Sequence, residues 1–556
     1  MPEHNDAAVS AATPDRNTAP LRWQIQHTDD PRVVLEQEHE DYTDHVVPLT
    51  ARQPRAKVLG SWWSIASAMA FLYYGALAAN LAGTQQALIG LAVVIVVYSV
   101  LCAFATNVSI RRGVNSMLLT REMFGVRGAA LTPLICGLGG LYYAVFESSV
   151  MAAALQAYFQ VFDIRVWYAI VIIGMLPLML GGMQTWLNKL NTWSLPIYIG
   201  GVTAAVVAAG VRFGWSGDWF TTTPEIAAPT SVPGWLTTFV LFMGNWLLIA
   251  DTPEFARFGR PQDRRFHANV TFGWVFYLLA YAFNGLAGIL IVALAAPELT
   301  VAESAVTTGI VASLGVIGLI VVLVSQVRIN SANFYVASMC LERVVSHFST
   351  RNLARRVWVV LLSIVTFLLM LTNVFSYIAT ALAWQGIVTV SWVGIFVVHL
   401  LVVSGEPEIR ASRLPMVARG FAVWVASAAI GLVALELGSG AVAQLAPLIS
   451  LAVSVLLYLT QARTLRRSAA HADSAEHPDV RNAVGDLWGT RTACASCGLA
   501  YTTYEMDTAA QHTDQPLCLE CQVHPLPATS NVGPGDSLTV STMSPPPNSP
   551  EYPSER

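Results

Sequence analysis

Charge is scarce in this chain. Of 556 residues only 12% are Asp, Glu, Lys or Arg, about half the fraction found in soluble domains. The 54% that are hydrophobic make the mean hydropathy positive, which excludes an ordinary water-soluble globule. A leader pattern is lacking too: the opening MPEHNDAAVSAATPDRNTAP has no basic start, apolar middle or small-residue cleavage site. No nucleophile with an adjacent base, phosphate-cradling loop or open metal site is visible, so the residues argue against an enzyme. The net charge of −4 is small, with acidic tails offsetting basic loops, and suggests no nucleic-acid partner.

What fills the chain instead is apolar runs. A helix that crosses a bilayer needs roughly 20 mainly apolar residues, and twelve such spans are predicted, centred near residues 70, 95, 145, 175, 203, 245, 282, 317, 365, 390, 425 and 452. The expected fold is an all-α polytopic bundle in the lipid bilayer. Residues 1–56 read as an N-terminal tail, 57–467 as the twelve-span domain, 468–489 as a linker, 490–525 as a small cysteine module and 526–556 as a Pro- and Ser-rich disordered tail.

Basic residues cluster in alternate loops. They are Arg111, Arg112, Arg121 and Arg127; Lys189; Arg257, Arg260, Arg264 and Arg265; Arg343, Arg351, Arg355 and Arg356; Arg410, Arg413 and Arg419; and Arg463, Arg466 and Arg467. The positive-inside bias then places both termini in the cytoplasm of a cell-membrane protein, as an even number of spans also requires.

Four spans carry polar groups where hydrocarbon is expected, at about 2.5 to 3.5 kcal/mol for each charge on insertion scales. Span three has Tyr143 and Glu147 four residues apart, on one helical face. Span six has Gly244, Asn245, Trp246, Asp251 and Pro253, span eight has Arg328, Asn330 and Asn333, and span one has Gly75 and Asn80. Some have plain readings: Tyr143 and Trp246 as packing aromatics, Asn80 as an interhelical hydrogen bond, Asp251 as a group near the membrane surface, Arg257 and Arg260 as solvated loop charges. Glu147 is harder to dismiss, because Ser148 and Ser149 cannot neutralise it. It is either protonated, paired with a cation or open to an aqueous cavity. Interruptions in spans one and six lie five spans apart, which suggests an inverted repeat of spans one to five with six to ten, built on broken helices whose freed backbone groups bind solutes.

These residues bring a resemblance into view. TREMFGVRGAALTPLICGLGG around the start of span three, ADTPEFARFGR at the end of span six, NSANFYVAS in span eight and, more weakly, LAWQGIVTVSWVGIFVVHLL in span ten resemble the nucleobase:cation symporter family. That family comprises the purine-cytosine permease branch and related uracil, thiamine, allantoin and hydantoin permeases, and the similarity covers about residues 55–465. It implies a LeuT-like fold, five plus five inverted spans with two more, importing a planar nitrogenous base by alternating access. Carried over by position, Tyr143 would stack on the substrate, Glu147 would stand near the span-three amide, Asn245 or Trp246 would give the span-six contact, and Asn330 and Asn333 would read the substrate's edge. An amide suits such an edge because it offers donor and acceptor together.

The departures bear on coupling. Family sodium sites use span-one carbonyls and small hydroxyl residues just before the first span-eight Asn. Here Arg328 and Ile329 stand in that place. A guanidinium repels Na⁺ and is itself able to satisfy those carbonyls, so sodium independence is expected, with Arg328 as a built-in cation and Glu147 or Asp251 as the proton-coupling carboxyl. Asp251 and Glu254 replace the usual Asn and Asp of the span-six ending. Alternatively, Arg328 forms a buried pair with Glu147 or Asp251.

Of the seven cysteines, Cys102, Cys136 and Cys340 are scattered through the spans. Cys494, Cys497, Cys518 and Cys521 instead form two C-x-x-C pairs separated by twenty residues, the spacing of a closed, structural, zinc-ribbon-like Cys₄ site. A cytoplasmic location disfavours disulfides, Gly498 suits the turn after the second Cys, and His512 reads as loop polarity. Such a module stabilises the tail, regulates the carrier or binds a cytoplasmic protein partner. Three functions follow: a proton-coupled base transporter, a sensor signalling through the zinc module, or a carrier of an amino acid or vitamin on the same fold.

Overall fold

The computed structural model describes residues 23–39, 42, 45–180, 183–223, 232–299, 304–348, 355–372, 374–403, 416–472, 480–508, 515–518 and 521. The first twenty-two residues, Arg351, Arg410, Arg413, His512 and the tail beyond Cys521 lie outside these, as do the side chains of Lys189, Arg355, Arg463, Arg466 and Arg467.

With no water to take up stray N–H and C=O groups in a bilayer core, only helices satisfy the backbone locally, and the apolar runs fold as such. Among the described residues seven helices are long and apolar enough to cross a membrane, and two bent pairs make nine. The shorter apolar helices Ile164–Leu180, Arg356–Met370 and Ala446–Ala462 lie where the other three spans were expected. Burial separates them. Leu131–Phe159 (span three) and Ile378–Val402 (span ten) are 72% and 67% buried over their apolar windows, against 33% for Thr84–Arg112 (span two) and 28% for Arg419–Leu437 (span eleven). Polar residues on spans three and ten therefore face protein, and the outer spans turn apolar side chains to lipid.

The bent pairs are the spans expected to be broken. Span one runs Arg55–Ser67 and Ala70–Ala82 with a 46° bend, and span six Gly234–Met243 and Leu247–Ala256 with a 47° bend. Matching bends five spans apart are the mark of an inverted repeat. The break points differ from expectation. Span one opens at Ala68–Met69, where Ala68 is extended, and not at Gly75. Gly75 lies inside the second half, where the backbone of Gly285 in span seven approaches so closely that no Cβ fits. Span six opens at Gly244–Trp246, while Pro253 sits within its second half.

The run centred near residue 317 is not one span. Gly315, at φ 61°, splits it into Ala305–Leu314 and a 33-residue helix, Val316–Phe348. The first piece is about 15 Å long, too short to cross, so the second is span eight and Arg328, Asn330 and Asn333 fall near its middle.

Described segments on either side of the helical bundle pair with each other. Strand β1 (Ile25–Gln26) pairs antiparallel with β2 (Arg491–Ala493), which pairs with β3 (Ala500–Thr502); β4 (Asp507–Thr508) pairs with β5 (Pro516–Leu517).

Candidate functional site

A cavity of about 800 Å³ runs along span three between the two broken spans. Tyr143, Glu147, Asn245, Asp251, Arg328 and Asn333 all line it, so six of the residues singled out by polarity converge from spans three, six and eight. Asn330 and Trp246 are not on its wall. Two residues advance a helix by about 200°, so Asn330 turns away from Arg328 and donates Nδ2–H to Ser148 Oγ at 2.6 Å. Trp246 is buried with its ring edge-on to Tyr98, centroids 6.4 Å apart. In this conformation Asn330 is bonded to Ser148 and Trp246 packs on Tyr98, and neither is on the cavity wall.

The middle of the cavity wall is a hydrogen-bonded cluster. Tyr143 Oη donates to Asn245 Oδ1 at 2.6 Å, and Asn245 Nδ2 donates to Tyr281 Oη at 2.7 Å. Gln385 of span ten donates Nε2–H to the carbonyl of Gly244, freed at the span-six break, at 2.9 Å. The amide of Gln385 also approaches Tyr143 Oη at 3.4 Å. Gln385 and Tyr281 were missed by sequence reasoning, although Gln385 sits in the quoted LAWQG stretch and the rule that flags polar atoms in apolar spans covers it.

Glu147 is fully buried and faces the other break. Its Oε1 accepts the Ala70 N–H at 3.4 Å, at the first turn of the second half of span one, where the helix dipole favours negative charge. The Gln326 side chain of span eight lies beside it. Ser148 is engaged by Asn330, and Ser149 bonds to its own helix at Val145 O, so neither serves Glu147.

Two span-one carbonyls at the break are engaged by side chains of spans seven and eight. Ser325 Oγ donates to Ser67 O at 2.6 Å, and Asn284 Nδ2 donates to Ala66 O at 2.9 Å. Arg328 is 2% exposed and presents its charge to the cavity wall.

Toward the terminal module, Asp251 lies beside Cys136 and Glu254, and Glu254 accepts the Ser116 N–H at 3.1 Å. Arg257 is not a solvated loop charge: it is 3% exposed and donates Nη1–H to Tyr42 O at 2.6 Å, with Glu254 Oε2 3.7 Å from Nη2. Arg260 is exposed as expected.

The four C-terminal cysteines form a second site. Their sulfurs lie within 4.8 Å of one another. A tetrahedral set at zinc–sulfur distances of about 2.3 Å has sulfurs about 3.8 Å apart, and Cys497 Sγ and Cys518 Sγ are separated by 3.9 Å. Hydrogen bonds from the Cys497 and Cys518 thiols hold Cys494 well below the ordinary thiol range, and the negative Cys494 in turn raises both neighbours. Gly498, with φ 70°, makes the turn that brings its N–H to Cys494 O at 2.9 Å.

No family model and no curated protein matches the chain. Solved structures do. An inward-facing conformation of Mhp1 superposes with TM-score 0.63 at 14% identity, covering 76% of this chain and 93% of that one. A closed conformation of Mhp1, a nucleobase-cation-symport-1 family transporter with bromovinylhydantoin bound, gives 0.58 at 15% identity over 77% and 96%. A substrate-bound, outward-open Na⁺-coupled sialic acid symporter gives 0.53 at 12% identity over 78% and 95%. These neighbours are transporters, not enzymes. The chain is a multi-pass membrane protein with the LeuT-like fold that it shares with Mhp1.

Proposed function

We propose that this protein is a secondary active transporter that imports a nucleobase or a related planar nitrogenous compound by alternating access, coupled to protons and not to sodium. The carrying observation is the cavity at the two helix breaks. Its volume falls in the range of small-molecule sites, and Tyr143, Asn245 and Asn333 bring to it an aromatic face and two amides, the chemistry a flat heterocycle needs. Sodium independence is supported by the engaged carbonyls of Ala66 and Ser67 and by the Arg328 cation nearby. Glu147 is the proton carrier of this reading, and Asp251 a second carboxyl on the inward path. The positive-inside pattern puts both termini and the cavity mouth in the cytoplasm.

Binding comes first in the test. A thermal-shift panel of cytosine, adenine, hypoxanthine, allantoin, hydantoin and thiamine should show stabilisation by at least one planar base, since a ligand selective for the folded state raises its stability. Uptake of that ligand into proteoliposomes should follow an imposed pH gradient and be indifferent to replacing Na⁺ by K⁺. A clear Na⁺ requirement would remove the coupling argument, and stabilisation by amino acids alone would remove the substrate class.

The Cys₄ set is proposed as a structural zinc site. A bound divalent cation supplies the charge that lets all four thiols persist as thiolates. Metal analysis of the purified chain should find one zinc per molecule, and Cys494→Ser combined with Cys518→Ser should abolish it; retention of zinc by that variant would sink the assignment.

A further inference from the structure

The terminal module does more than fold a tail: the described residues of the segment that precedes span one, 25–39, 42 and 45–53, are bonded to it on one side and to the membrane helices at the cavity on the other. On the module side, β1 extends the β2–β3 hairpin that carries Cys494 and Cys497, with Ile25 opposite Thr492 and Gln26 opposite Arg491. Asp30 Oδ2 accepts the Ala500 N–H at 3.1 Å, and Arg32 donates to Gly498 O at 2.9 Å. His45 stacks on Tyr501 with ring centroids 4.4 Å apart, and Glu505 Oε1 accepts the Val46 N–H at 2.8 Å.

On the membrane side the same segment grips the helix ends. Val47 N–H donates to Gly113 O at 2.9 Å, beyond span two, and Gln53 N–H to Phe258 O at 2.7 Å, beyond span six. Arg52, 6% exposed, donates Nη1–H to Ile110 O and Gly259 O, both at 2.9 Å. Between the two sets of bonds, Tyr42, Thr50 and Gln53 line the mouth of the cavity, and the chain then enters the first half of span one at Arg55. Asp29 joins the two sides directly: one carboxylate oxygen accepts Arg491 Nε–H at 2.5 Å, and the other accepts from the backbone and hydroxyl of Thr50.

We propose that the Cys₄ module is a metal-dependent clasp, holding residues 25–39, 42 and 45–53 at the inner mouth of the substrate cavity so that metal occupancy sets how readily the mouth opens. The proposal rests on the zinc and transporter readings above. Without metal a module this small, with four short strands and a handful of buried apolar side chains, lacks the core to stay folded. The hairpin that β1 pairs with, and the surfaces that His45 and Asp29 bind, are lost together. The strap then keeps only its membrane-side bonds, and the first half of span one, to which it is joined, loses its restraint.

Native cysteines report on this. Cys136 and Cys340 line the cavity and are 3% and 6% exposed; Cys102 is buried outside it, against Tyr277 and Thr252. The purified full-length chain, zinc-loaded or treated with a zinc chelator, is exposed to a charged maleimide, and labelling of each cysteine is followed by peptide mass spectrometry. Chelation should speed labelling of Cys136 and Cys340 by about tenfold, the change that about 1.4 kcal/mol produces, with Cys102 unaffected. Asp29→Ala combined with His45→Ala, with zinc still bound, should raise labelling of the same two cysteines by a smaller factor, because it removes two of the strap's module-side contacts without disturbing the metal. Unchanged labelling on chelation and in the strap variant overturns the clasp, as does a parallel rise at Cys102, which would mean general unfolding. A chain that binds no zinc yet protects Cys136 and Cys340 overturns the metal dependence and the zinc assignment together, while leaving the transporter reading intact.

Discussion

Glu147→Ala should lower substrate uptake by about a hundredfold. The magnitude comes from the contact it removes. A carboxylate that accepts a backbone N–H in a buried site contributes about 1.5 to 3 kcal/mol, which is roughly one to two orders of magnitude in an equilibrium. Here that N–H belongs to Ala70, at the start of a half-helix whose neighbouring carbonyls, Ala66 and Ser67, are already held by Asn284 and Ser325. Without Glu147 the Ala70 N–H at the break in span one loses its acceptor, and Gln326 loses the group it faces. Glu147→Gln separates position from charge. The amide oxygen still accepts from Ala70 but no longer exchanges a proton between the two sides of the membrane. The Gln variant should bind base in the thermal-shift assay and catalyse exchange of labelled for unlabelled substrate, yet fail to accumulate substrate under a pH gradient. Accumulation at the wild-type level by the Gln variant would rule Glu147 out as the coupling group.

Much of this arrangement was legible in the sequence because a bilayer makes polarity informative. Spans three, six and eight announced themselves through Tyr143, Glu147, Asn245, Asp251, Arg328 and Asn333, each costly in hydrocarbon unless turned to a cavity, and all six line one. The positions that misled are those where period or partner decides. Asn330 shares a motif with Asn333 but not its helical face, and Trp246 follows Asn245 but turns toward Tyr98. Gly75 looked like a hinge because glycine permits one, yet its missing side chain serves a backbone contact with Gly285, and the hinge fell at Ala68–Met69, which no residue type advertises. The apolar run through Gly315 concealed a break that only φ reveals. Least legible of all was the pairing of residues 25–26 with 491–492. Two-residue strands carry no periodicity, and a pairing such as Asp29 with Arg491 spans nearly the whole chain, with nothing local to signal it.

Arg328→Ala should reduce pH-driven uptake by roughly one to two orders of magnitude, since a cation kept mid-span against an insertion cost of about 2.5 to 3.5 kcal/mol returns a comparable amount through the state it supports. Arg328 is almost completely buried and lines the cavity within one helical turn of Ser325 and Gln326, the span-eight residues that meet the break in span one. In that setting a fixed positive charge makes a second, mobile cation unfavourable and lowers the cost of a negative group moving through the cavity. Charge and shape are separable by substitution. Lysine keeps the charge without the planar fork and should retain part of the activity, whereas glutamine keeps hydrogen-bonding capacity without charge and should behave like alanine. Sodium should not rescue any of the three, because the carbonyls of Ala66 and Ser67 stay bonded to Asn284 and Ser325 whatever occupies position 328. Uptake measured in proteoliposomes with an imposed pH gradient, with and without Na⁺, decides the point. Full activity in the alanine variant would make the charge incidental, and Na⁺-stimulated uptake appearing only after its removal would show that Arg328 stands in for a sodium ion, leaving Ser325 able to release Ser67 to it.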